Sequence, residues 1–120
     1  MNVVVAMLSA AVLLTATSAG TDREVVSIRI WPATSFEPSD VMVQVDVEEN
    51  ADNRLLQVSA DSGQFYWSSE RQLEGENGPR LSDFACRQVP AGEYDVRAQV
   101  LGASGQIRSS ARGRMVVLPR

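Results

Sequence analysis

The residue types that perform most enzyme chemistry are scarce in this chain. Its 120 residues include no histidine, and Cys86 is the only cysteine. Histidine is the usual general base near neutral pH and a common transition-metal ligand, so its absence removes the Ser-His arrangement that activates serine nucleophiles. A single cysteine excludes an intrachain disulfide and a zinc site built from several cysteines. The sequence therefore predicts no enzyme activity, no metal site and no cofactor.

Carboxylate groups are the remaining source of chemistry. Glu74 and Glu76 form the kind of pair that hydrolyses glycosidic bonds, but they lie on a loop-like stretch with no other catalytic residue type nearby. A second group of acidic and amide residues lies between two predicted strands. Calcium binds oxygen ligands at turns, but the spacing of this group is not that of a calcium loop. We interpret that group as a solvated turn, because Asn and Asp side chains bond their own backbone there. It consists of Asp46, Glu48, Glu49, Asn50, Asp52 and Asn53.

Aromatic side chains offer a candidate binding surface. Phe65, Tyr66 and Trp67 are consecutive, so in a strand Phe65 and Trp67 share one face and Tyr66 lies on the other. We predict that Phe65 and Trp67 pack in the core, and that Tyr66 and Trp31 are exposed. An exposed ring provides a large contact area for a sugar or a protein. The candidate ligand or partner surface is therefore Trp31 and Tyr66, with Trp67 as an additional member.

Cys86 has the same parity as Phe84 in its predicted strand. We therefore expect its thiol to be buried and to act as a small apolar group. The alternative is a disulfide between two chains, which an oxidising compartment would permit.

The charge balance bears on the class of partner. The formal net charge is −4, from 11 basic and 15 acidic residues, which argues against a broad basic surface for nucleic acid. We interpret the arginines near the C-terminus as partners of acidic residues or as protection for an exposed strand edge, with a polyanion site as the alternative. They are Arg108, Arg112, Arg114 and Arg120.

Residues 1–19 have the layout of a secretory signal peptide. An uncharged apolar run is followed by small residues, of which Thr17 and Ala19 suit the two critical positions for cleavage after Ala19. The apolar run is short for a bilayer span, so membrane attachment is expected only through an uncleaved signal segment. The sequence thus predicts an exported protein, periplasmic or extracellular, with one domain over residues 20–120.

Short runs of alternating apolar and polar residues follow the N-terminal segment, and they predict seven β-strands. Residues 33–40 contain Pro38 and predict a loop. The alternation of the last strand places Ile107 on its inward side with Ala111, Met115 and Val117, and Gly113 predicts a bulge there. No helical period is present after the signal segment. The predicted strands are residues 26–31, 41–48, 54–60, 64–69, 81–89, 94–100 and 106–118.

The stretch from Val89 to Val100 is the most informative for the fold. Pro90 and Gly92 predict a turn, in which we expect Gly92 to supply conformational freedom. From Tyr94 onward apolar and polar residues alternate strictly. This turn resembles the entry to strand F of immunoglobulin-like and fibronectin type III-like domains of exported bacterial proteins. The resemblance implies a seven-stranded antiparallel immunoglobulin-like sandwich, and it implies that Tyr94 is a tyrosine corner whose hydroxyl bonds to upstream backbone.

The resemblance concerns a fold that hosts many activities. From it, and from the missing catalytic residue types, we predict an exported non-catalytic module for protein–protein interaction or cell-envelope structure. The protein partner is not identified by the sequence. The alternative is a small carbohydrate-binding module that uses the exposed aromatic residues, and an open sheet edge that accepts a partner strand is a further hypothesis.

Overall fold

The computed structural model describes residues 25–120, and this part of the chain is all-β, as predicted. It contains eight strands rather than seven, and a single 3₁₀ turn at Gly75–Asn77. The predicted signal helix and its cleavage site lie outside the described residues. The strands are β1 Val26–Trp31, β2 Thr34–Phe36, β3 Ser39–Val47, β4 Leu55–Asp61, β5 Tyr66–Gln72, β6 Leu81–Val89, β7 Gly92–Leu101 and β8 Ile107–Leu118.

The strands form two sheets that pack face to face. One sheet has three strands in the order β1-β3-β6, and the other has five in the order β2-β8-β7-β4-β5. All neighbours are antiparallel except β2 and β8, which run parallel. Among the described residues, no helix is long and apolar enough to cross a membrane.

The strand that the sequence did not predict is β2, and it lies within residues 33–40, which were predicted as a loop. The Val116 N–H donates to the Ala33 carbonyl at 2.9 Å, and the Glu37 N–H donates to the Leu118 carbonyl at 2.9 Å. These bonds attach β2 to the end of β8. Because β2 has only three residues, it is too short for an alternation of apolar and polar residues to show in the sequence.

The core consists of the inward faces of both sheets. The alternation of apolar and polar residues along the strands predicts most of these inward-facing residues. Strand β3 alternates buried and partly exposed residues along its length, and β7 buries every second residue from Tyr94 to Val100. Phe65 and Trp67 are partly buried against this core. Ile107, expected on the inward side of the last strand, is 58% exposed because it lies at the strand's open beginning. The fully covered apolar side chains include Val43, Val45, Leu56, Val58, Val89, Tyr94, Val96, Val100 and Val117.

Gly113 does not mark a bulge, which corrects the prediction. It stands in regular register opposite Val96, and the irregularity in this pair of strands lies between Val100 and Leu101. A Cβ atom at Gly113 would lie 2.9 Å from Cδ1 of Ile30. The missing side chain therefore lets β1 approach β8 closely across the two sheets.

Tyr94 forms the predicted corner. Its side chain is completely buried, and its hydroxyl donates to the Pro90 carbonyl at 2.7 Å. Burial raises the pKa of the phenol. The ring of Phe65 meets Tyr94 edge to face, with centroids 6.2 Å apart. The corner thus joins the turn before β7 to the core.

Gly92 contributes to the corner through its size. Its φ is not positive, since among the described glycines only Gly63, Gly75 and Gly105 have positive φ. A Cβ at Gly92 would lie 3.1 Å from Cβ of Ser62 and 3.3 Å from Cε2 of Tyr94. The glycine therefore provides space for the tyrosine ring rather than the conformational freedom expected from the sequence.

The corner predicts the effect of removing one oxygen atom. Tyr94→Phe keeps the ring but leaves the Pro90 carbonyl without its donor, so we expect a loss of about 1 kcal/mol in the free energy of unfolding. Urea denaturation followed by tryptophan fluorescence measures it. Tyr66→Phe is the matched control, because Tyr66 is 62% exposed and its change should leave the midpoint where it is. An unchanged midpoint for Tyr94→Phe would show that the bond does not stabilise the fold.

Candidate functional site

The outer face of the five-stranded sheet is the candidate site. Two hollows of about 260 and 120 Å³ lie on it, and the same four residues, Ser59, Tyr66, Arg97 and Gln99, line both. They come from β4, β5 and β7 and project outward, because the residues between them in the alternation belong to the core. Arg112 of β8 stands beside Arg97 in the sheet register. We call these five residues the arginine face.

The strand register places Arg97 and Arg112 directly opposite each other. The Val116 N–H points away from β7, toward Ala33. In a regular strand the N–H and C=O of alternate residues point the same way, so those of Arg112 also point away from β7. Arg112 and Arg97 are therefore a non-hydrogen-bonded pair, the kind in which Cα atoms are about 4.5 Å apart and side chains are closest.

Neighbouring arginines have partners, whereas this pair has none among the described residues. Arg114 forms ion pairs with Glu93 at 3.2 Å and with Asp95 at 4.0 Å. Arg108 lies 3.8 Å from Asp52 and donates to the side chain of Asn53. The partners predicted for the C-terminal arginines are thus present for two of them. Like charges directly opposite each other in a sheet are destabilising, so two adjacent free guanidinium groups are costly to the fold.

The three aromatic candidates do not form one surface. Tyr66 is 62% exposed and belongs to the arginine face. Trp31 is 44% exposed on the outer side of the three-stranded sheet, opposite Met42 in register. Trp67 packs partly into the core between the sheets. Tyr66 and Trp31 therefore point away from opposite sides of the molecule, and one ligand cannot stack on both.

The carboxylate candidates also lie apart from the arginine face. Glu74 and Glu76 are exposed around the 3₁₀ turn. In the acidic turn, the Asn50 side chain accepts the Asp52 N–H at 2.8 Å, and Asp46 pairs with Arg80 at 3.2 Å. Within residues 25–120, no three His, Cys, Asp or Glu side chains are grouped so that they could hold a metal ion.

Cys86 is almost completely buried, with 1% of its surface exposed, and it is a free thiol. It lies on β6 opposite Val41. Burial raises the pKa of the thiol from 9.0 to about 11. The thiolate that attacks electrophiles is therefore rare at neutral pH.

Burial predicts that the Cys86 thiol reacts slowly. At pH 8 the higher pKa lowers the thiolate fraction by about a hundredfold relative to an ordinary cysteine, and the sheet blocks access to what remains. We expect the native protein to react with an aromatic disulfide reagent only as fast as it opens, and completely in denaturant. Ser68→Cys is the control, because position 68 is exposed on β5 and should add one thiol that reacts quickly. Equal reaction rates for Cys86 and position 68 would contradict this expectation.

The sequence did not single out Arg97, Ser59 and Gln99. Their parity on the polar face was visible in the alternation, but nothing distinguished them from other solvated residues. Arg112 was visible only as one of several C-terminal arginines. The signal that distinguishes the pair is its register across two strands, which depends on the turn and on the irregularity at Val100 and Leu101.

Comparison with known proteins identifies solved structures that share the described fold. No known family profile matches the sequence, and no curated protein matches it. Among solved structures, superoxide reductase (neelaredoxin) from Ignicoccus hospitalis is 14% identical with a TM-score of 0.60, over 78% of this chain and 80% of that one. Two variants of the same protein give TM-scores of 0.61 and 0.56. A family 76 glycoside hydrolase from a bovine Bacteroides thetaiotaomicron strain is 17% identical with a TM-score of 0.54, over 80% of this chain and 21% of that one.

These matches correct the predicted function. The sequence predicted a non-catalytic module, for protein–protein interaction or cell-envelope structure or alternatively for carbohydrate binding, and no enzyme activity. The solved structures named above are instead those of enzymes, which contradicts the prediction of a non-catalytic module and the prediction of no enzyme activity. At these identities the likeness shows the fold alone, and the activity of the neighbours is theirs.

The residues present do not fit the redox chemistry of the first neighbour. One-electron and oxygen chemistry in proteins relies on haem, flavin, copper or non-haem iron. The whole chain has no imidazole ligand. In the described part of the chain the one thiol is buried in the core, and no cluster of three carboxylate or thiol ligands exists.

Proposed function

We propose that the arginine face binds a ligand that carries a carboxylate or phosphate group, and that Arg97 and Arg112 hold this group together. The observation that supports the proposal is the adjacent pair of guanidinium groups without a carboxylate partner in an acidic protein. A guanidinium offers its donors in a fork that matches carboxylate and phosphate oxygens, and two forks side by side match one such group well. A bound anion would remove the repulsion between them.

The surroundings of the pair favour a ligand with one localised negative charge. Asp61 and Asp95 line the larger hollow, and Glu70 lines the smaller one. A long polyanion that ran along the strands would meet these carboxylates on both sides of the pair. Repulsion there would reduce its affinity, so a compact anion is the better fit.

Tyr66 and the amide and hydroxyl side chains supply the rest of the recognition. The exposed Tyr66 ring is two strands away from Arg97, so the axes of their strands are about 10 Å apart. Both side chains are long enough to contact one ligand placed between them. Ser59 of β4 lies between them, Gln99 is the next outward residue after Arg97 on β7, and both offer hydrogen-bond donors and acceptors. The ligand we propose therefore joins its anionic group to a ring that stacks on Tyr66.

We also infer an immunoglobulin-like fold for residues 25–120 and export of the protein to the periplasm or beyond the cell. The sheet orders and the Tyr94–Pro90 bond support the fold, because they place a tyrosine corner at the entry to a central strand. The apolar N-terminal run followed by small residues supports export.

Benzoate tests the ligand-binding proposal because it joins a carboxylate to a ring, and benzamide is its neutral counterpart. We expect NMR titration of the full chain to show benzoate shifts at Arg97, Arg112 and Tyr66, and none with benzamide. Arg97→Gln or Arg112→Gln should weaken benzoate binding by about tenfold, the loss of roughly one charge-assisted hydrogen bond. Tyr66→Ala should weaken the binding of benzoate but leave the binding of inorganic phosphate unchanged.

Arg29→Gln is the matched control for charge. Arg29 is exposed on the outer side of the three-stranded sheet, and its loss changes the net charge by the same amount. Equal weakening by Arg29→Gln and Arg97→Gln would mean that benzoate responds to overall charge, and the proposal would be wrong. Shifts that map to another face of the protein would also overturn it.

The same pair predicts an effect on stability in the absence of ligand. Removing one of two opposed like charges relieves repulsion, so we expect Arg112→Gln to raise Tm by about 1–3 °C in low salt. The gain should shrink in high salt, where the repulsion is screened. Thermal unfolding followed by circular dichroism at two salt concentrations measures it, and a lower Tm in low salt would show that the pair is not repulsive.

A further inference from the structure

A second feature of β8 is its backbone edge, which shares Arg112 with the arginine face. Between its beginning and Met115, β8 is paired on one side only, by β7. Strand β2 covers the other side only from Val116 to Leu118. Strand β1 belongs to the other sheet, and in the described chain it pairs with β3 and not with β8. Residues 107–115, three-quarters of β8, therefore form an open sheet edge.

The open edge forms one wall of a cleft of about 520 Å³. Residues 25–28 form the opposite wall, and Ser109, Ser110, Ala111 and Arg112 line the β8 side. The close approach of Ile30 to Gly113 narrows the space between β1 and β8 at one end.

The direction of the backbone groups follows from the bond between Val116 and Ala33. Because the Val116 N–H points away from β7, the N–H and C=O groups of Ser110, Arg112 and Arg114 point away from β7 as well. No described residue pairs with them in a strand ladder. They are the donors and acceptors that an added strand requires.

Ser109 provides a second, separate observation. Its hydroxyl oxygen is buried and has no hydrogen-bond partner among the described residues. It lines the same cleft. A buried hydroxyl without a partner is costly, and a group entering the cleft would satisfy it.

We propose that the open edge of β8 binds an extended acidic peptide by strand addition. The outward side chains of β8 are Arg108, Ser110, Arg112 and Arg114, so the neighbouring side chains of an added strand would be acidic. The inward side of the cleft is formed by Val26, Ile28 and Ala111, so the alternate side chains of the peptide would be apolar. The recognised pattern is acidic and apolar residues in alternation.

This charge pattern favours a peptide over a second copy paired through the same edge. In an antiparallel pairing of two β8 strands, arginines of one copy would lie beside arginines of the other. Like charges across a strand pair are unfavourable, and the described edge offers no acidic residue to compensate.

The experiment uses a synthetic octapeptide of alternating Glu and Val, with alternating Lys and Val as the charge-reversed control. We expect the Glu-Val peptide to bind the full chain and to protect the backbone amides of Ser110 and Arg112 from hydrogen exchange. Ser110→Pro removes one edge N–H and should weaken binding by about tenfold, whereas Ser110→Ala keeps that N–H and should change it less than about twofold.

Each other outcome overturns the proposal. Equal binding of the Glu-Val and Lys-Val peptides would exclude the charge pattern, and equal effects of Ser110→Pro and Ser110→Ala would exclude backbone pairing. Protection of the Ser110 and Arg112 amides before peptide is added would show that a second copy or another part of the chain already covers the edge. Sedimentation equilibrium separates these two cases. Circular dichroism of Ser110→Pro confirms that the variant is folded before its binding is interpreted.

Discussion

The alternation of side chains along β7 is the constraint on which the rest of the structure depends. Strand β7 is central in its sheet, paired with β4 on one side and β8 on the other. Its even-numbered residues from Tyr94 to Val100 are completely buried, so the odd-numbered residues must face solvent. A shift of one residue would bury Arg97 and expose Tyr94. The same packing that forms the core thus fixes the position of the arginine face.

The turn before β7 holds this alternation in place. Tyr94 reaches back four residues to the Pro90 carbonyl, while Gly92 leaves room for its ring beside Ser62. Another contact ties the turn to the edge of the sheet, since the Ala91 N–H donates to the side chain of Glu37 at 3.0 Å. Hydrogen bonds at the turn therefore connect β2, β7 and the core, and they limit slippage of the central strand.

Local pattern was enough to predict much of the fold. The alternations of β3 and β7 and the spacing of Pro90, Gly92 and Tyr94 are local, so the buried faces and the corner could be read from the sequence. Strand β2 could not, because its pairing with β8 joins residues about 80 positions apart and leaves no local periodicity. The arginine pair was hidden for the same reason, since its register depends on the hairpin between β7 and β8. The missing residue types predicted a non-catalytic module, and the enzymes found among the solved structures of this fold contradict that prediction.

The arginines of β8 also make the protein electrically asymmetric. From Gly102 to Arg120 the chain has four arginines and no acidic residue, although the whole chain has a net charge of −4. Asp52 pairs with Arg108, and Glu93 and Asp95 pair with Arg114, so the positive charge of β8 without a carboxylate partner among the described residues lies at Arg112, beside Arg97 of β7. An approaching anion is attracted toward Arg97 and Arg112, which raises the rate of productive encounters without any change in the bound contacts. The association rate of acidic ligands should therefore fall as ionic strength rises, and it should change more steeply than the dissociation rate does.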